Sequence, residues 1–516
     1  QAGEQIIFRQ DGDMVTAVVL IQYVGNAADF SWVVPAPGIP EVTVGSDLVF
    51  APLELATRPQ FNLTRLGSQC VEPFGGIAGA PATGNANRSA NAANANGGVQ
   101  VLEQFAVGPY DIQIVASDDP QALVTWLDEN NYALTDRGRE LIATYVREEC
   151  NFVAVKLQQD RGTGDIQPLI MRYQKQTPVI PIRLTAVAAQ NDMGVLVWLL
   201  GNARAVPTNY LHVEVNYTLL NWYSSPSAAY ASYQGLVTLA MNEAGGQGFA
   251  TDYAGDDLDL TRSLPDPIRY RRELTRLSGL LDGAFYGQLY ADAVFGRMKV
   301  LDILHRELPL PAGAGDFTYS SFDLLLQVFD AAMLSAARQR ISADLVSDVI
   351  EPLERTLDVF NGMPYLTRLY TTLSADEMTL DPAFVFNPDL PGQALRREAT
   401  LTLSCVDGQT HWQLTLGAGT GRDGETVIRG FGSPPFSTPT INQPAVARSA
   451  RTRSSGPPEY MTVNVPFAVV TIGTPQSNSS PVRRLCGLGW VEAALFSLLS
   501  LGVTSLAWRR RASRQP

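Results

Sequence analysis

The side chains that most often bind metals are few in this sequence. It contains three histidines, His212, His305 and His411, which fall in a predicted strand, a predicted helix and a predicted turn. A zinc site usually shows a close pair such as HxxxH or CxxC, and neither pattern occurs here. We therefore expect each histidine to be a surface or hydrogen-bonded side chain, and the sequence predicts no metal and no cofactor.

The densest acidic cluster is TDYAGDDLDL, which contains Asp252, Asp256, Asp257 and Asp259. Calcium binds several carboxylate oxygens, so one interpretation is a calcium site. The ligand spacing of an EF-hand loop is absent, however. An acidic patch at a helix N-terminus ahead of Leu260 is the favoured interpretation.

The four cysteines are Cys70, Cys150, Cys405 and Cys486. Cys70 and Cys150 could form a disulfide in an oxidising compartment, although connectivity cannot be read from sequence. Buried free thiols are the slightly favoured alternative for Cys150 and Cys405. Cys486 lies at the start of a long apolar run, where it is poorly placed for a partner.

Motifs of common enzymes are absent. The sequence has no GxSxG elbow, no phosphate-binding loop and no CxxCH haem site. No Ser–His–Asp set can be nominated from residue order alone. These absences favour a protein that is not an enzyme, and they leave an unfamiliar enzyme open.

Residues 1–226 are predicted to form a β-rich domain. Apolar or alternating runs flank Asp11-Gly12, a hairpin signal, and recur from residue 100 to residue 217. Helices are predicted near Asp47–Thr57, Asp119–Asn130 and Thr135–Glu149. This pattern indicates a mostly antiparallel sheet or sandwich. The small residues of 75–98 cannot offset the entropy of ordering, so we expect an exposed or disordered loop there.

Residues 227–375 change to a helical period, which predicts a bundle. The predicted helices are Tyr230–Glu243, Asp266–Leu281, Phe285–His305, Ser320–Gln339 and Ser342–Phe360. Short strands return within 376–431, which we expect to be a smaller β part. Residues 432–482 are rich in Pro, Ser and Thr and predict an extended stalk. The predicted fold class is therefore α+β, with one C-terminal transmembrane helix.

The C-terminal segment 483–516 predicts that membrane helix. Leu485–Trp508 is a nearly continuous apolar run, long enough to cross a bilayer. Four arginines follow it, and arginine is retained on the cytoplasmic side; they are Arg509, Arg510, Arg511 and Arg514. We therefore expect a single-pass protein with a cytoplasmic C-terminus and a periplasmic or extracellular ectodomain. An exported chain needs a secretion signal, which we expect to have been removed.

Glu492 is the unusual residue of this run. A carboxylate inside a bilayer is costly, so it either lies near the outer interface or pairs with a neighbouring helix. Small residues, Gly487, Gly489 and Ala493, would allow a second helix to approach closely. The predicted partners are thus the lipid bilayer and other integral membrane proteins.

The charge of the chain excludes one class of partner. There are 38 Lys and Arg against 51 Asp and Glu, and six of the Arg and one of the Glu lie in 483–516. Residues 1–482 therefore carry a net charge of −18. Such a domain would repel phosphate groups, and we expect no nucleic-acid binding.

Several long motifs resemble one bacterial family. They are Pro364–Pro391, Asp165–Ala205, FSWVVPAPGIPEV, GPYDIQIVASDD and AGGQGFATDYAG. In the order in which they occur along the chain, over about residues 1–400, they resemble the uncharacterised domain-of-unknown-function family numbered 2330. The resemblance implies an exported protein, often with a C-terminal anchor. The cysteine-containing start of that family is missing here, and the resemblance implies no activity.

The leading hypothesis is a non-catalytic accessory or scaffold subunit of a bacterial membrane complex. An electron-transfer assembly is one candidate setting. The alternatives are an enzyme or ligand-binding protein of the cell envelope, and a surface-layer or adhesion protein. The tail is also similar to bacterial C-terminal sorting signals, although a plain anchor is favoured.

Overall fold

The structure is a computed structural model that describes residues 3–21, 30–70, 99–434 and 440–474, except residues 133, 160, 176 and 257. The strands are β1 (Gly3–Asp11), β2 (Met14–Ile21), β3 (Ser31–Ala36), β4 (Glu41–Val44), β5 (Gln60–Gly67), β6 (Gln100–Val107), β7 (Tyr110–Ala116), β8 (Asn151–Leu157), β9 (Leu169–Gln174), β10 (Met193–Gly201), β11 (Arg204–Pro207), β12 (Leu211–Val215), β13 (Gly248–Gly255), β14 (Tyr365–Leu373), β15 (Phe384–Asn387), β16 (Arg396–Val406), β17 (Gln409–Leu416), β18 (Thr426–Phe431), β19 (Val446–Arg451), β20 (Glu459–Val463) and β21 (Val470–Ile472). The helices are α1 (Phe50–Thr57), α2 (Pro120–Glu129), α3 (Asp136–Arg147), α4 (Ile182–Thr185), α5 (Pro226–Glu243), α6 (Pro267–Ser278), α7 (Asp282–Tyr290), α8 (Arg297–Glu307), α9 (Phe322–Leu325), α10 (Ala331–Asp344) and α11 (Glu351–Asp358).

A ten-stranded sheet runs through the molecule in the order β20-β19-β12-β13-β14-β10-β1-β2-β9-β4. Strand β1 pairs with β10 in parallel and with β2 in antiparallel orientation. Both faces of the central strands are buried, so β10 is an almost continuous apolar run, and β1 carries three consecutive apolar residues, Ile6, Ile7 and Phe8. Ile6 and Phe8 of β1 point to one core, whereas Ile7 points to another.

A second sheet, in the order β3-β8-β7-β6, covers one face of the ten-stranded sheet. Its strands pair only in antiparallel orientation. Helices α2 and α3 pack on its outer side, in a small core with Leu123 and Ile142. Asp119 and Thr135 cap these two helices with their side chains, as the predicted helices near Asp119–Asn130 and Thr135–Glu149 required.

Helices α6 to α11 cover the other face of the ten-stranded sheet around Trp198 and Leu200. The predicted single helix Phe285–His305 is wrong, because the chain forms α7 and α8 instead. Gly296 separates them with φ of 79°, a conformation that only glycine adopts without strain. The predicted helix Ser342–Phe360 is continuous with α10 through one π-helical segment, 345–350.

A third sheet, in the order β21-β18-β17-β16-β5, packs with helix α5 around Phe61 and Trp412. Strand β5 lies parallel to β16, although they are far apart in sequence. The fold class is thus mixed α and β, with a β-rich N-terminal part and helices in the middle.

The predicted domain boundaries do not separate folded units. Residues 1–474 form one compact unit. The segment 227–375, predicted as helical, contributes β13 and β14 to the ten-stranded sheet. The mostly antiparallel sheet predicted for 1–226 is instead shared with later parts of the chain.

The predicted stalk also needs correction over 440–474. This stretch forms β19, β20 and β21, and β19 pairs with β12 at one side of the ten-stranded sheet. Val446 and Ala450 are buried there. The composition, rich in Pro, Ser and Thr, gave no sign of these three short strands, which depend on pairing with distant parts of the chain.

Within the described ranges, no helix is both long enough and apolar enough to cross a membrane. The predicted membrane helix 483–516 lies outside those ranges, together with Cys486. The predicted loop 75–98 also lies outside them.

Candidate ligand pocket between two sheets

The acidic cluster proposed from the sequence does not form one site. Asp252 lies in β13 and is fully buried, whereas Asp256 and Asp259 are exposed. Asp257 lies outside the described residues. The calcium interpretation is therefore wrong for Asp252, because its carboxylate is occupied by protein groups.

Asp252 belongs to a buried ionic cluster. Its Oδ2 lies 3.0 Å from Nε of Arg368, and its Oδ1 accepts a hydrogen bond of 2.5 Å from the hydroxyl of Tyr233. Arg397 donates to its backbone carbonyl at 2.8 Å. Burial raises the pKa of the Asp252 carboxyl, and the nearby Arg368 guanidinium opposes that increase.

Other nitrogens of both arginines donate hydrogen bonds. Arg368 donates to the carbonyl of Glu54 and to the hydroxyl of Tyr230, at 2.8 and 2.9 Å. Arg397 donates to the hydroxyl of Tyr217 at 3.0 Å. These contacts join helices α1 and α5 to strands β13, β14 and β16, so we interpret the cluster as structural.

His212 and His305 lie in a strand and a helix as predicted, whereas His411, predicted in a turn, lies in strand β17. His212 is buried, with Nε2 at 3.2 Å from Nη2 of Arg204. Burial and then the positive charge of Arg204 lower its pKa to about 3, so it is neutral and accepts this hydrogen bond. His305 is exposed and lies 2.7 Å from Asp316. Over the described residues, no group of three or more His, Cys, Asp or Glu could hold a metal ion.

The cysteines pair differently from the sequence-based hypotheses. Cys70 forms a disulfide with Cys405, and the two Cα atoms are 5.3 Å apart. The alternative pairing of Cys70 with Cys150 and the free thiol predicted for Cys405 are both wrong. The parallel pairing of β5 with β16 explains this, because it brings two ends of strands together across 335 residues. Cys150 is a free, partly buried thiol.

A cavity of about 120 Å³ lies between the ten-stranded sheet and the four-stranded sheet. Alternate residues of each strand point into it, and the strand register aligns them: Phe8 pairs with Ala17, which pairs with Met171. Strand β3 closes the opposite side with Trp32 and Val34. The walls are therefore mostly apolar, as in typical small-molecule sites.

Glu4 is the exception among these walls. It has the same orientation in β1 as Ile6 and Phe8, lines the cavity and is only 6 % exposed. Its Oε2 accepts a weak hydrogen bond of 3.4 Å from the hydroxyl of Thr185. Within the part of the chain that the structure describes, no cationic side chain pairs with it. Burial raises its pKa to about 7, and the Thr185 hydroxyl opposes the shift.

A second polar group, Tyr173 of β9, lines the same cavity. Burial raises its pKa, so it is a neutral phenol that can donate or accept a hydrogen bond. The cavity thus combines an apolar body with a carboxyl and a phenol. This is the arrangement by which proteins orient a small organic ligand.

The rim of the cavity is held by Arg183. Its guanidinium bonds both carboxylate oxygens of Glu148, at 2.9 and 2.6 Å, and it bonds Oδ2 of Asp381 at 2.7 Å. Tyr145 donates to the other oxygen of Asp381 at 2.9 Å, and Arg183 stacks over its ring. These paired charges fix the rim, while the exposed side chain of Lys175 marks the side that faces solvent.

Cys150 of the cavity is not arranged as an activated nucleophile. Cys150 lines the cavity, but burial raises its pKa, with a further increase from Glu148. It is therefore a thiol at neutral pH, and a thiol is a poor nucleophile. The three histidines lie elsewhere, so the cavity has no histidine base to activate it.

Sequence reasoning did not find Glu4. In GEQIIFRQ, apolar residues occupy both alternating sets of positions, because β1 is buried on both faces. The pattern therefore could not tell whether Glu4 faces a core. The sole available signal was a charged residue in phase with Ile6 and Phe8.

The sequence profile of one bacterial protein family, described as "uncharacterized protein conserved in bacteria (DUF2330)", matches residues 2–265. The match covers just over half of the chain and includes strands β1 to β13, which build most of the pocket. It is shorter than the resemblance over about residues 1–400 that the motifs suggested. No curated protein and no solved structure matches the chain.

Proposed function

The chain belongs to this bacterial family, and we propose that it is a non-catalytic, extracytoplasmic accessory or scaffold subunit of a bacterial membrane complex. Residues 483–516 would anchor it as a single membrane helix with Arg509, Arg510, Arg511 and Arg514 in the cytoplasm. The partners would be other integral membrane proteins, and an electron-transfer assembly is one setting for them.

Exposed apolar side chains on the layer of helices α6 to α11 support a protein partner. Leu281 is 84 % exposed at the start of α7, and Phe317 is 71 % exposed in a short 3₁₀ turn, 316–320. Leu326 and Met333 are also exposed. Large exposed apolar side chains close together are typical of surfaces that a partner covers.

These side chains lie on elements that pack against one another. Arg338 of α10 donates to the carbonyl of Leu280 and to the carboxylate of Asp282, which holds α10 beside the start of α7. Tyr319, from the same turn as Phe317, is buried and donates to the carbonyl of Leu308. The exposed residues therefore lie on elements that hydrogen bonds hold together.

The disulfide between Cys70 and Cys405 supports the extracytoplasmic location. Structural disulfides form and persist mainly in oxidising compartments, such as the bacterial periplasm and the cell surface. The net charge of −18 over residues 1–482 also fits a protein that stays away from anionic lipid and nucleic acid.

Co-purification of the full chain in mild detergent tests the subunit role. Wild type is expected to retain membrane proteins in fixed stoichiometry. The double variant Leu281→Ser/Phe317→Ser should lose them while keeping its membrane content. The matched control is Leu239→Ser/Val463→Ser, which changes two exposed apolar residues on α5 and β20. If neither wild type nor control retains a partner, the subunit role is wrong.

The anchor has its own variants. If the helix only tethers the protein, Glu492→Leu should leave partners and membrane content unchanged. If it docks beside another helix, Glu492→Leu and Gly489→Leu should each release partners without lowering membrane content, because both remove a feature of close helix packing.

A second candidate is a ligand-binding protein of the envelope. The pocket with Glu4 favours this function, because packing alone does not explain why a carboxyl is buried beside a cavity. The two functions are compatible in one protein, since the pocket and the exposed helical surface lie on opposite sides of the ten-stranded sheet.

A further inference from the structure

We propose that the pocket between the two sheets binds a small organic cation, an ammonium group on an apolar body of about five carbon atoms. This inference rests on the ligand-binding function proposed second above and does not depend on the subunit role. Glu4 would receive the ammonium group, and the apolar walls would enclose the body.

The size of the ligand follows from the cavity. An engineered apolar cavity of about 150 Å³ holds one benzene molecule. The cavity here, of about 120 Å³, is slightly smaller. It therefore fits a branched alkyl group of four or five carbons, or the end of a longer ligand that leaves through the side near Lys175.

The charge of the ligand follows from Glu4. Its carboxyl has one weak hydrogen bond from Thr185 and no cationic partner in the described part of the chain. An ionised carboxylate in an apolar site is strongly destabilised unless a cation pairs with it. Aromatic side chains in the walls, such as Trp32 and Phe8, also attract an ammonium group.

The other charged groups near the pocket do not compete for this role. The remaining ionisable groups that line it are Tyr145, Glu148, Cys150, Tyr173, Lys175 and Asp381. Glu148 and Asp381 are already paired with Arg183. Lys175 is exposed at the opening. The ionised form of Glu4 would repel an anionic ligand, so the arrangement favours a cation over an anion.

Binding should be linked to a proton. Burial raises the pKa of Glu4 to about 7, so part of the protein carries a neutral carboxyl near neutral pH. An ammonium ligand favours the ionised carboxylate, and binding therefore releases the proton of Glu4 to solvent. Affinity should rise as pH increases through about 7, as long as the amine stays protonated.

Isothermal titration calorimetry of the full chain tests the proposal with two probes of equal size. 3-Methylbutylammonium is the cation, and 3-methylbutanol is its neutral counterpart. Wild type should bind the cation at least tenfold more tightly than the alcohol. Glu4→Gln should remove this preference. The matched control is Glu103→Gln, which removes an exposed carboxylate from β6 and should keep the preference.

The outcomes distinguish failure of the cationic ligand from failure of the ligand-binding function. Binding of the alcohol as tightly as the cation, or an unchanged preference in Glu4→Gln, would overturn the cation and leave the ligand-binding function in place. Binding of neither probe by wild type would overturn both. Thermal unfolding of each variant, measured alongside, shows whether the pocket remains folded.

Discussion

Asp252 and Glu4 are both buried carboxyl groups on the ten-stranded sheet, but their surroundings are opposite. Asp252 contacts Arg368, Tyr233 and, through its backbone, Arg397. Glu4 contacts one hydroxyl at 3.4 Å and faces a cavity. Asp252 is held by partners from three parts of the chain, whereas Glu4 has one weak hydrogen bond and borders a cavity.

This difference separates a structural charge from a candidate functional one. A paired buried charge contributes little net stability, but removal of one partner leaves the others uncompensated. Glu4, by contrast, is buried next to a cavity without a charged partner among the residues that the structure describes. Its ionisation destabilises the folded protein, and a cationic ligand in the cavity would offset that cost. The two residues should therefore respond to neutralisation with opposite signs.

The largest effect is expected at Asp252. Asp252→Asn removes the carboxylate that pairs with the buried Arg368, and removal of one partner of a buried ion pair typically costs about 3–5 kcal/mol. Urea unfolding at neutral pH measures this loss. Asp256→Asn, at an exposed position just after β13, should change the free energy of unfolding by less than about 0.5 kcal/mol. A similar small change at Asp252 would show that the ionic cluster is not structural.

Glu4→Gln should stabilise the protein, but only at higher pH. The folded-state pKa is raised from 4.5 to about 7, so the folded protein binds the proton more tightly than the unfolded chain. Wild-type stability should therefore fall as pH rises from about 4.5 to about 7, in total by about 3 kcal/mol. The glutamine variant cannot ionise and should lack this decrease.

Unfolding curves of wild type and Glu4→Gln, recorded across that pH range, give the result. The curves should agree most closely below pH 4.5 and diverge above it. Glu103→Gln should follow wild type throughout. Equal pH dependence in all three proteins would mean that Glu4 titrates as an exposed carboxyl.

Local signals in the sequence predicted much of the secondary structure. The caps at Asp119 and Thr135 and the turn at Asp11-Gly12 depend on neighbouring residues, so they could be read directly. Strands β13 and β14 were missed because they lie among helices and pair with each other and with the distant β10. Strands β19 to β21 were missed for a related reason, since their partners β12 and β18 lie outside their own segment.

The candidate site could not be predicted because it depends on long-range register. Glu4, Trp32, Met171 and Asp381 meet only after two sheets have packed. The same holds for the disulfide, since Cys70 and Cys405 are brought together by the parallel pairing of β5 with β16. The residues that line the pocket are far apart in the sequence, so no short sequence pattern could identify them.

The smallest effect is expected at Cys150, which lines the pocket beside the rim. Its raised pKa leaves little thiolate at neutral pH, so iodoacetamide should modify it slowly, and faster as pH rises. Cys150→Ser should change the free energy of unfolding by less than about 1 kcal/mol. In the absence of a reductant, peptides that contain Cys70 and Cys405 should remain unmodified, because these residues form the disulfide.

Alkylation of Cys150 also tests whether Glu4 binds the ammonium ligand. 3-Methylbutylammonium should slow modification of Cys150 in wild type, because thiol and ligand share one cavity. It should not slow the reaction in Glu4→Gln. The control variant Asp256→Asn, at an exposed position just after β13, should behave as wild type. Peptide mass spectrometry after timed alkylation measures the rates. Equal protection in wild type and Glu4→Gln would mean that the amine blocks Cys150 without using the buried carboxyl.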